Sequence, residues 1–160
     1  MQKQEKYNWA AKKVRAQVLR SADTISALAN TAAILKEHFD NYFWVGFYFV
    51  KKDCLLLGPF QGPPACVKLA LDKGVCATCA GSEKTVIVPN VREFAGHVAC
   101  DERSNSEIAV PVFSESGMLT AVLDVDSEKL NDFDDVDRQG LENIAALLKS
   151  LWPARAEKND

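Results

Sequence analysis

Cys66, Cys76 and Cys100 stand where regular structure is disfavoured: in Gly58-Pro59-Phe60-Gln61-Gly62-Pro63-Pro64-Ala65-Cys66, in Gly74-Val75-Cys76, and in Gly96-His97-Val98-Ala99-Cys100-Asp101. The second thiol follows the first by ten positions and the third follows by twenty-four more. Segments rich in Gly and Pro read as loops. Loops on a rigid scaffold are where chemistry concentrates. Downstream, Glu107 and the pair Asp124 and Asp126 fall in segments with strand character. Thiols on loops above carboxylates on a sheet suggest thiol redox chemistry on a small polar substrate.

The carboxylates can be placed relative to one another. Residues 108–113 and 119–125 read as strands joined by the turn Ser114-Glu115-Ser116-Gly117. A hairpin centred near residues 115–116 puts Glu107 opposite Asp124 or Val125. Directly opposed residues have Cβ atoms about 5 Å apart. Asp124 and Asp126 share a face, because side chains alternate with period two. Three carboxylates then crowd one end of the sheet in one register, whereas a slip of one residue sends Glu107 to the other face. The other reading is ordinary surface acids at strand ends. If the acids crowd, repulsion raises at least one pKa. A carboxylic acid that keeps its proton near neutral pH can act as a general acid.

The elements that must hold these groups are legible from periodicity. Residues 8–20 place Trp9, Val14 and Val18 on a helical face, and 23–38 do the same with Ile25, Leu28, Ala29, Ala32 and Leu35, capped by Ser21 or Asp23. The aromatic and β-branched run 42–50 predicts a strand, followed by strands over 54–58, 67–71 and 86–89. Residues 74–82 are small enough for a short helix, and 90–106 form a long polar loop. Asp132 or Asp134 caps a last helix, over 132–152, with Val136, Leu141, Ile144, Ala145 and Leu148 on one face and Pro153 as its stop. The expectation is one α+β domain over 1–160. Its N-terminal helices cover 1–38 and its sheet and site loops 42–127. Short turns make the sheet of about six strands mainly antiparallel. Helices cover one face, and loops 59–66 and 90–106 cover a ligand pocket on the other.

Composition limits the function classes. The chain has 160 residues, 48% hydrophobic and 26% charged, with a net charge of −3. That is a globular composition with no electrostatic case for nucleic acid. Residues 1–20 carry six Lys/Arg against one Glu, while residues 101–142 carry twelve acids against three bases. These are solvated faces, or a basic first helix that meets an acidic face within or between subunits. No apolar run approaches the roughly 20 residues that span a bilayer, and no secretory leader is visible. Five cysteines, an odd number, without such a leader point to a reducing cytoplasmic compartment. A disulfide there would be transient and catalytic.

The three thiol segments, with Ser106-Glu107-Ile108 and Leu123-Asp124-Val125-Asp126-Ser127, resemble the free methionine-(R)-sulfoxide reductases, which are single-domain GAF proteins. The resemblance runs from about Trp44 to the last helix. It implies that the Cys100 thiolate attacks the sulfoxide sulfur. A carboxylic acid among Glu107, Asp124 and Asp126 would hydrogen-bond or protonate the sulfoxide oxygen, because an oxide dianion cannot leave. Cys100 is left as a sulfenic acid, Cys66 condenses with it to a disulfide, and an external thioredoxin-like dithiol reduces the bridge. Cys76 is an alternative resolving thiol. Trp44 matches an aromatic wall against the substrate methyl group. The resemblance implies no bound metal, flavin or nicotinamide, and a homodimer.

The chain departs from that pattern at Ala77, where Gly is usual, and at Cys79, where a small residue is usual. Cys76-Ala77-Thr78-Cys79 is therefore a Cys-x-x-Cys, which reads as a redox pair or, with Cys79 buried, as core. With His97 and Cys100 it also has plausible zinc spacing, so a zinc-stabilised interaction module is one alternative function. A non-catalytic small-molecule sensor is another. His97 is either a modulator of the Cys100 thiol or a loop histidine bonded to backbone. Cys54, Phe47 and Tyr48 read as core, and His38 as a cation at a helix C-terminus.

Overall fold

The computed structural model describes residues 1–21 and 23–153. The helices start where side chains satisfy free backbone N–H groups. α1 (Lys3–Arg20) begins with Glu5 accepting from the Gln2 N–H. α2 (Thr24–His38) is capped by Asp23, whose carboxylate accepts from the Ser26 N–H at 2.8 Å. That bond holds Asp23 below the usual carboxylate range. A short α3 (Val75–Ser82) follows Gly74, whose φ of 96° suits glycine. α4 (Asp135–Leu148) is capped by Asp134, which accepts from the Val136 and Asp137 N–H groups.

Six strands form one sheet: β1 (Trp44–Val50), β2 (Leu55–Gln61), β3 (Lys68–Leu69), β4 (Val86–Val88), β5 (Ser106–Phe113) and β6 (Leu119–Ser127). Their order is β3-β2-β1-β6-β5-β4, and every neighbouring pair is antiparallel. Alternation sorts the side chains. Val45, Phe47, Ile108, Val110, Val112, Ala121, Leu123 and Val125 join a core with α1, α2 and α4. Trp44, Tyr48, Ala109 and Val122 face the other way and pack with α3. The fold is the expected α+β layering, except that α3 shares the pocket face with the loops.

Two bulges explain the longer β2 and the pairing of β5 with β6. β2 extends past residue 58 to Gln61 because Gly58 and Pro59 together oppose the one residue Phe47. A bulge leaves a residue outside the ladder, so the missing Pro59 N–H costs nothing there. In the β5–β6 hairpin, Phe113 pairs with Leu119 but Val112 pairs with Ala121. The extra residue, Thr120, returns its hydroxyl to the Val112 carbonyl at 2.9 Å. It shifts the register by one, so Glu107 lies opposite Asp126 rather than Asp124 or Val125.

The first helix buries Val14 as expected and packs Val18 against the core, but its face differs at Trp9. Tyr7, Ala10 and Val14 are buried, while Trp9 is only half-buried and stacks on His38 at 3.7 Å between centroids. In α2, Leu28, Ala32 and Leu35 are buried as expected, whereas Ile25, in its first turn, is exposed. The basic first helix does meet the acidic C-terminal segment within the chain, through Lys3 with Asp134 at 2.9 Å and Asp137 at 2.7 Å. Tyr7 donates to the same Asp137 at 2.7 Å and touches the Tyr42 hydroxyl. Among the described residues, no helix is long and apolar enough to cross a membrane.

The α1–α4 contact depends on a missing side chain. A Cβ on Gly140 would lie 2.2 Å from Cγ of the Tyr7 ring. Gly→Ala in an exposed helix gains up to about 1 kcal/mol. Here the overlap with a buried ring costs about 1–3 kcal/mol or more. Gly140→Ala is therefore expected to lower the denaturant midpoint of unfolding. A midpoint equal to or above that of the parent would contradict this packing.

Candidate active site

The register sets the floor of the site. Across the sheet, Trp44 of β1, Asp126 of β6, Glu107 of β5 and Val88 of β4 form one row. The next row on the same face is Gly46, Asp124 and Ala109. Asp124 thus stands between two neighbours without bulk. Glu107 and Asp124 are buried, and Asp126 is half-buried. All three line one cavity with Trp44, Cys76, His97 and Cys100. It is a tight cavity, with a free internal volume of about 60 Å³.

Three carboxyls in so small a space cannot all ionise freely. Burial, then the charges of Asp124 and Asp126, push Glu107 well above the usual carboxylate range. Burial, then the charge of Asp124, does the same to Asp126, although the Ser104 hydroxyl donates to it and opposes the rise. Burial pushes Asp124 up to about 6, with Glu107 beside it in the opposite sense. The surface-acid reading is thereby excluded. Glu107 and Asp126 are the two held furthest toward the protonated form, and such a group can supply a proton to a buried oxygen.

The thiols stand above this floor. Cys66 and Cys100 are joined in a disulfide, with Cα atoms 5.5 Å apart. Cys66 is half-buried and Cys100 exposed. The Tyr48 hydroxyl donates to the Cys66 carbonyl at 3.0 Å and fixes that loop from the sheet. Cys76, on the first turn of α3, points its buried thiol at Glu107, 3.8 Å from Oε1. Burial and then Asp124 push that thiol well above its ordinary pKa. Cys79 is fully buried in the core cluster that also holds Cys76. Cys54 is buried as expected. The four-residue zinc set fails, since Cys100 is bonded to Cys66 and Cys79 packs in the core.

Loops complete the walls. The Trp44 indole lies over Gly46, where a Cβ would come within 2.5 Å of it, and stacks on Phe60 at 5.3 Å. Its Nε1–H donates to the Pro63 carbonyl at 3.1 Å. His97 Nε2 lies 3.9 Å from Glu107 Oε2, and burial lowers the His97 pKa toward the neutral form. Its ring faces that carboxyl, while its backbone N–H donates to the Phe94 carbonyl at 3.1 Å. Asp101 pairs with Arg103 at 2.7 Å and is pulled down to about 2. Ser104 and Tyr48 had no signal in the sequence, because a loop serine and a strand tyrosine are ordinary. Only the register and the loop path give them partners.

The antiparallel sheet, with helices behind it and a pocket between its front and α3, defines a GAF domain. The GAF domain family model matches residues 21–151. GAF domain-containing protein A of Dictyostelium discoideum is 46% identical, over 91% of this chain and 92% of its own length. Free methionine-R-sulfoxide reductase of Escherichia coli is 41% identical, over 79% of this chain and 76% of its own. The X-ray structure of free methionine-R-sulfoxide reductase from Neisseria meningitidis in complex with its substrate superposes with a TM-score of 0.90. It is 41% identical, and the match covers 95% of this chain and 91% of that one. The chain belongs to the free methionine-R-sulfoxide reductase family of single-domain GAF proteins.

Proposed function

We propose that this protein is an oxidoreductase that reduces free methionine (R)-sulfoxide to methionine with its own thiols. The observation that carries this reading is a Cys66–Cys100 bridge beside a cavity floored by three carboxyls with raised pKa values. In the reduced state the Cys100 thiolate attacks the sulfoxide sulfur. A proton from Glu107 or Asp126 goes to the sulfoxide oxygen as the S–O bond breaks. The hydroxide so formed attacks Cys100 Sγ, the bond between Cys100 and the substrate sulfur breaks with its electron pair going to that sulfur, and the products are Cys100 sulfenic acid and methionine as the thioether. The Cys66 thiol then displaces the oxygen as water and forms the disulfide. An external thioredoxin-like dithiol exchanges with the bridge and restores both thiols. Cys100 is an exposed residue, as exchange with an external dithiol requires.

The ammonium charge of the free amino acid suits the acidic floor of the same cavity. Its ammonium group would meet an ionised carboxylate of the Asp124–Asp126 pair. Trp44 offers its ring to the S-methyl group, an S–aromatic contact worth roughly 1 kcal/mol. Chemistry by thiols and protons needs no resident metal, flavin or nicotinamide. The whole chain acts as one GAF-like unit in a reducing cytoplasmic compartment, as a homodimer.

The direct assay supplies racemic free sulfoxide and a dithiol, with epimers followed by chiral chromatography. The R epimer is expected to disappear with equimolar release of methionine while the S epimer stays. Persistence of R at high enzyme would end this reading. The resolving step has its own signature. Cys66→Ser is expected to release one equivalent of methionine and then stall, unless Cys76 reaches the sulfenic acid. Steady turnover of Cys66→Ser/Cys76→Ser with thioredoxin would contradict the scheme.

A further inference from the structure

We infer that the pocket floor is a binding site for one borderline-soft divalent cation, of the zinc and cadmium class, held by Cys76, Glu107 and Asp124. The cation would occupy the substrate cavity and act as an inhibitor rather than a cofactor. The ligand atoms of the three residues, one sulfur and two carboxylate oxygens, all lie within 4.8 Å of one another. All three side chains are buried. Cys76 Sγ is 3.8 Å from Glu107 Oε1, close to the roughly 3.5 Å edge of a tetrahedron with metal–ligand bonds of 2.0–2.3 Å.

A second observation points to a ligand. Among the described residues, Asp124 Oδ1 is the buried side-chain oxygen that has no hydrogen-bond partner. A buried carboxylate oxygen left unpaired costs free energy that a bound cation would recover. The surroundings have the right sign. The carboxyls of Asp101, Glu107, Asp124 and Asp126 and the Cys76 thiol line the cavity against the one ammonium of Lys73, and the Cys100 sulfur is taken up in the bridge. A dication reverses the local charge balance and stabilises a coordinated thiolate. On binding, the Cys76 S–H and any carboxyl O–H lose their protons to solvent, and three metal–ligand bonds form. Three protein ligands leave one open position, for water or for His97 Nε2.

Sulfur selects this class over magnesium or calcium. The site differs from the zinc set expected from cysteine spacing: Cys79 and Cys100 take no part. It also needs no free Cys66 or Cys100, so the bridged protein isolates it.

The test uses the full chain with the Cys66–Cys100 bridge intact, titrated with Cd²⁺ under ultraviolet absorbance. A saturable thiolate-to-cadmium charge-transfer band with an end point of one Cd²⁺ per chain is expected. Mg²⁺ in large excess should not displace it. Cys76→Ala should lose the band, and Asp124→Asn should weaken binding by about a factor of ten or more, since it removes an anionic ligand. Cys79→Ala and Cys54→Ala should keep it. Circular dichroism of each variant confirms the fold, and Asp124→Asn serves if Cys76→Ala does not fold. Absence of a saturable band in the bridged parent overturns the inference. So does a band that survives Cys76→Ala or is lost in Cys79→Ala. Equal affinity in Asp124→Asn does the same. No turnover enters this readout. A chain that reduces the sulfoxide yet gives no band defeats this site alone, and a chain that binds Cd²⁺ yet leaves the sulfoxide intact defeats the enzymatic reading alone.

Discussion

Cys100→Ser is expected to lose turnover of free methionine (R)-sulfoxide by roughly a thousandfold or more, since the whole covalent step goes with the sulfur. A serine hydroxyl is almost unionised at neutral pH and is a poor nucleophile toward sulfoxide sulfur. The substitution should leave the fold intact. Cys100 is exposed, and its covalent partner is Cys66 across the loop rather than the core. The loss should persist with a small dithiol at high concentration, because the defect lies before recycling. A steady-state assay with dithiothreitol and a matched thermal melt check both halves. Substantial rate under those conditions would remove Cys100 from the nucleophile role. Cys54→Ser is the control, since that thiol is buried outside the cavity lining.

The second large effect belongs to the carboxyl floor. Glu107→Gln keeps the shape of the side chain and removes its acidic proton. Turnover is expected to fall by about 10²–10⁴-fold, the usual worth of a positioned general acid. Stability should move the other way with pH. Glu107 is raised above its usual range in the fold, so between the unfolded and folded pKa values the native state holds more protons than the unfolded one. The stability of the parent therefore falls as pH rises through that window. The amide has no such proton, so the part of the slope due to Glu107 disappears in the variant. Denaturant unfolding from acid to mildly alkaline pH reads this directly. The variant should be relatively more stable at the alkaline end and nearly inactive throughout. A variant with parental activity, or with an unchanged pH slope, would show that Glu107 neither carries nor misses a proton. Activity of the parent should also decline as pH rises through the raised carboxyl pKa values, because the proton donor is then lost.

The sequence made much of this floor legible, for a simple reason. Period-two alternation places Asp124 and Asp126 together whatever the register. What it could not supply was the extra residue Thr120 in the β5–β6 hairpin, which sets Glu107 opposite Asp126. Turn residues locate a hairpin, but a bulge inside the ladder has no strong composition signal. Gly58-Pro59 misled in the other direction. A Pro reads as the end of a strand, yet here it occupies a bulge and β2 runs on to Gln61. Trp44 was visible as an aromatic beside the site, whereas the empty space at Gly46 that lets its ring lie flat was not. Tyr48 and Ser104 act through single hydrogen bonds to Cys66 and Asp126, and such bonds depend on loop paths alone. Cys76-Ala77-Thr78-Cys79 shows how spacing can outrun geometry. Three residues apart on a helix, one thiol meets Glu107 while the other is packed in the core.

The most direct measurement is non-reducing peptide mapping after fully reduced protein meets one equivalent of free methionine (R)-sulfoxide. The result in keeping with this chemistry is a single new cross-link, between the peptides of residues 66 and 100, with one equivalent of methionine set free. Thiols that all stay reduced, or a bridge that forms elsewhere and leaves Cys100 free, would contradict it.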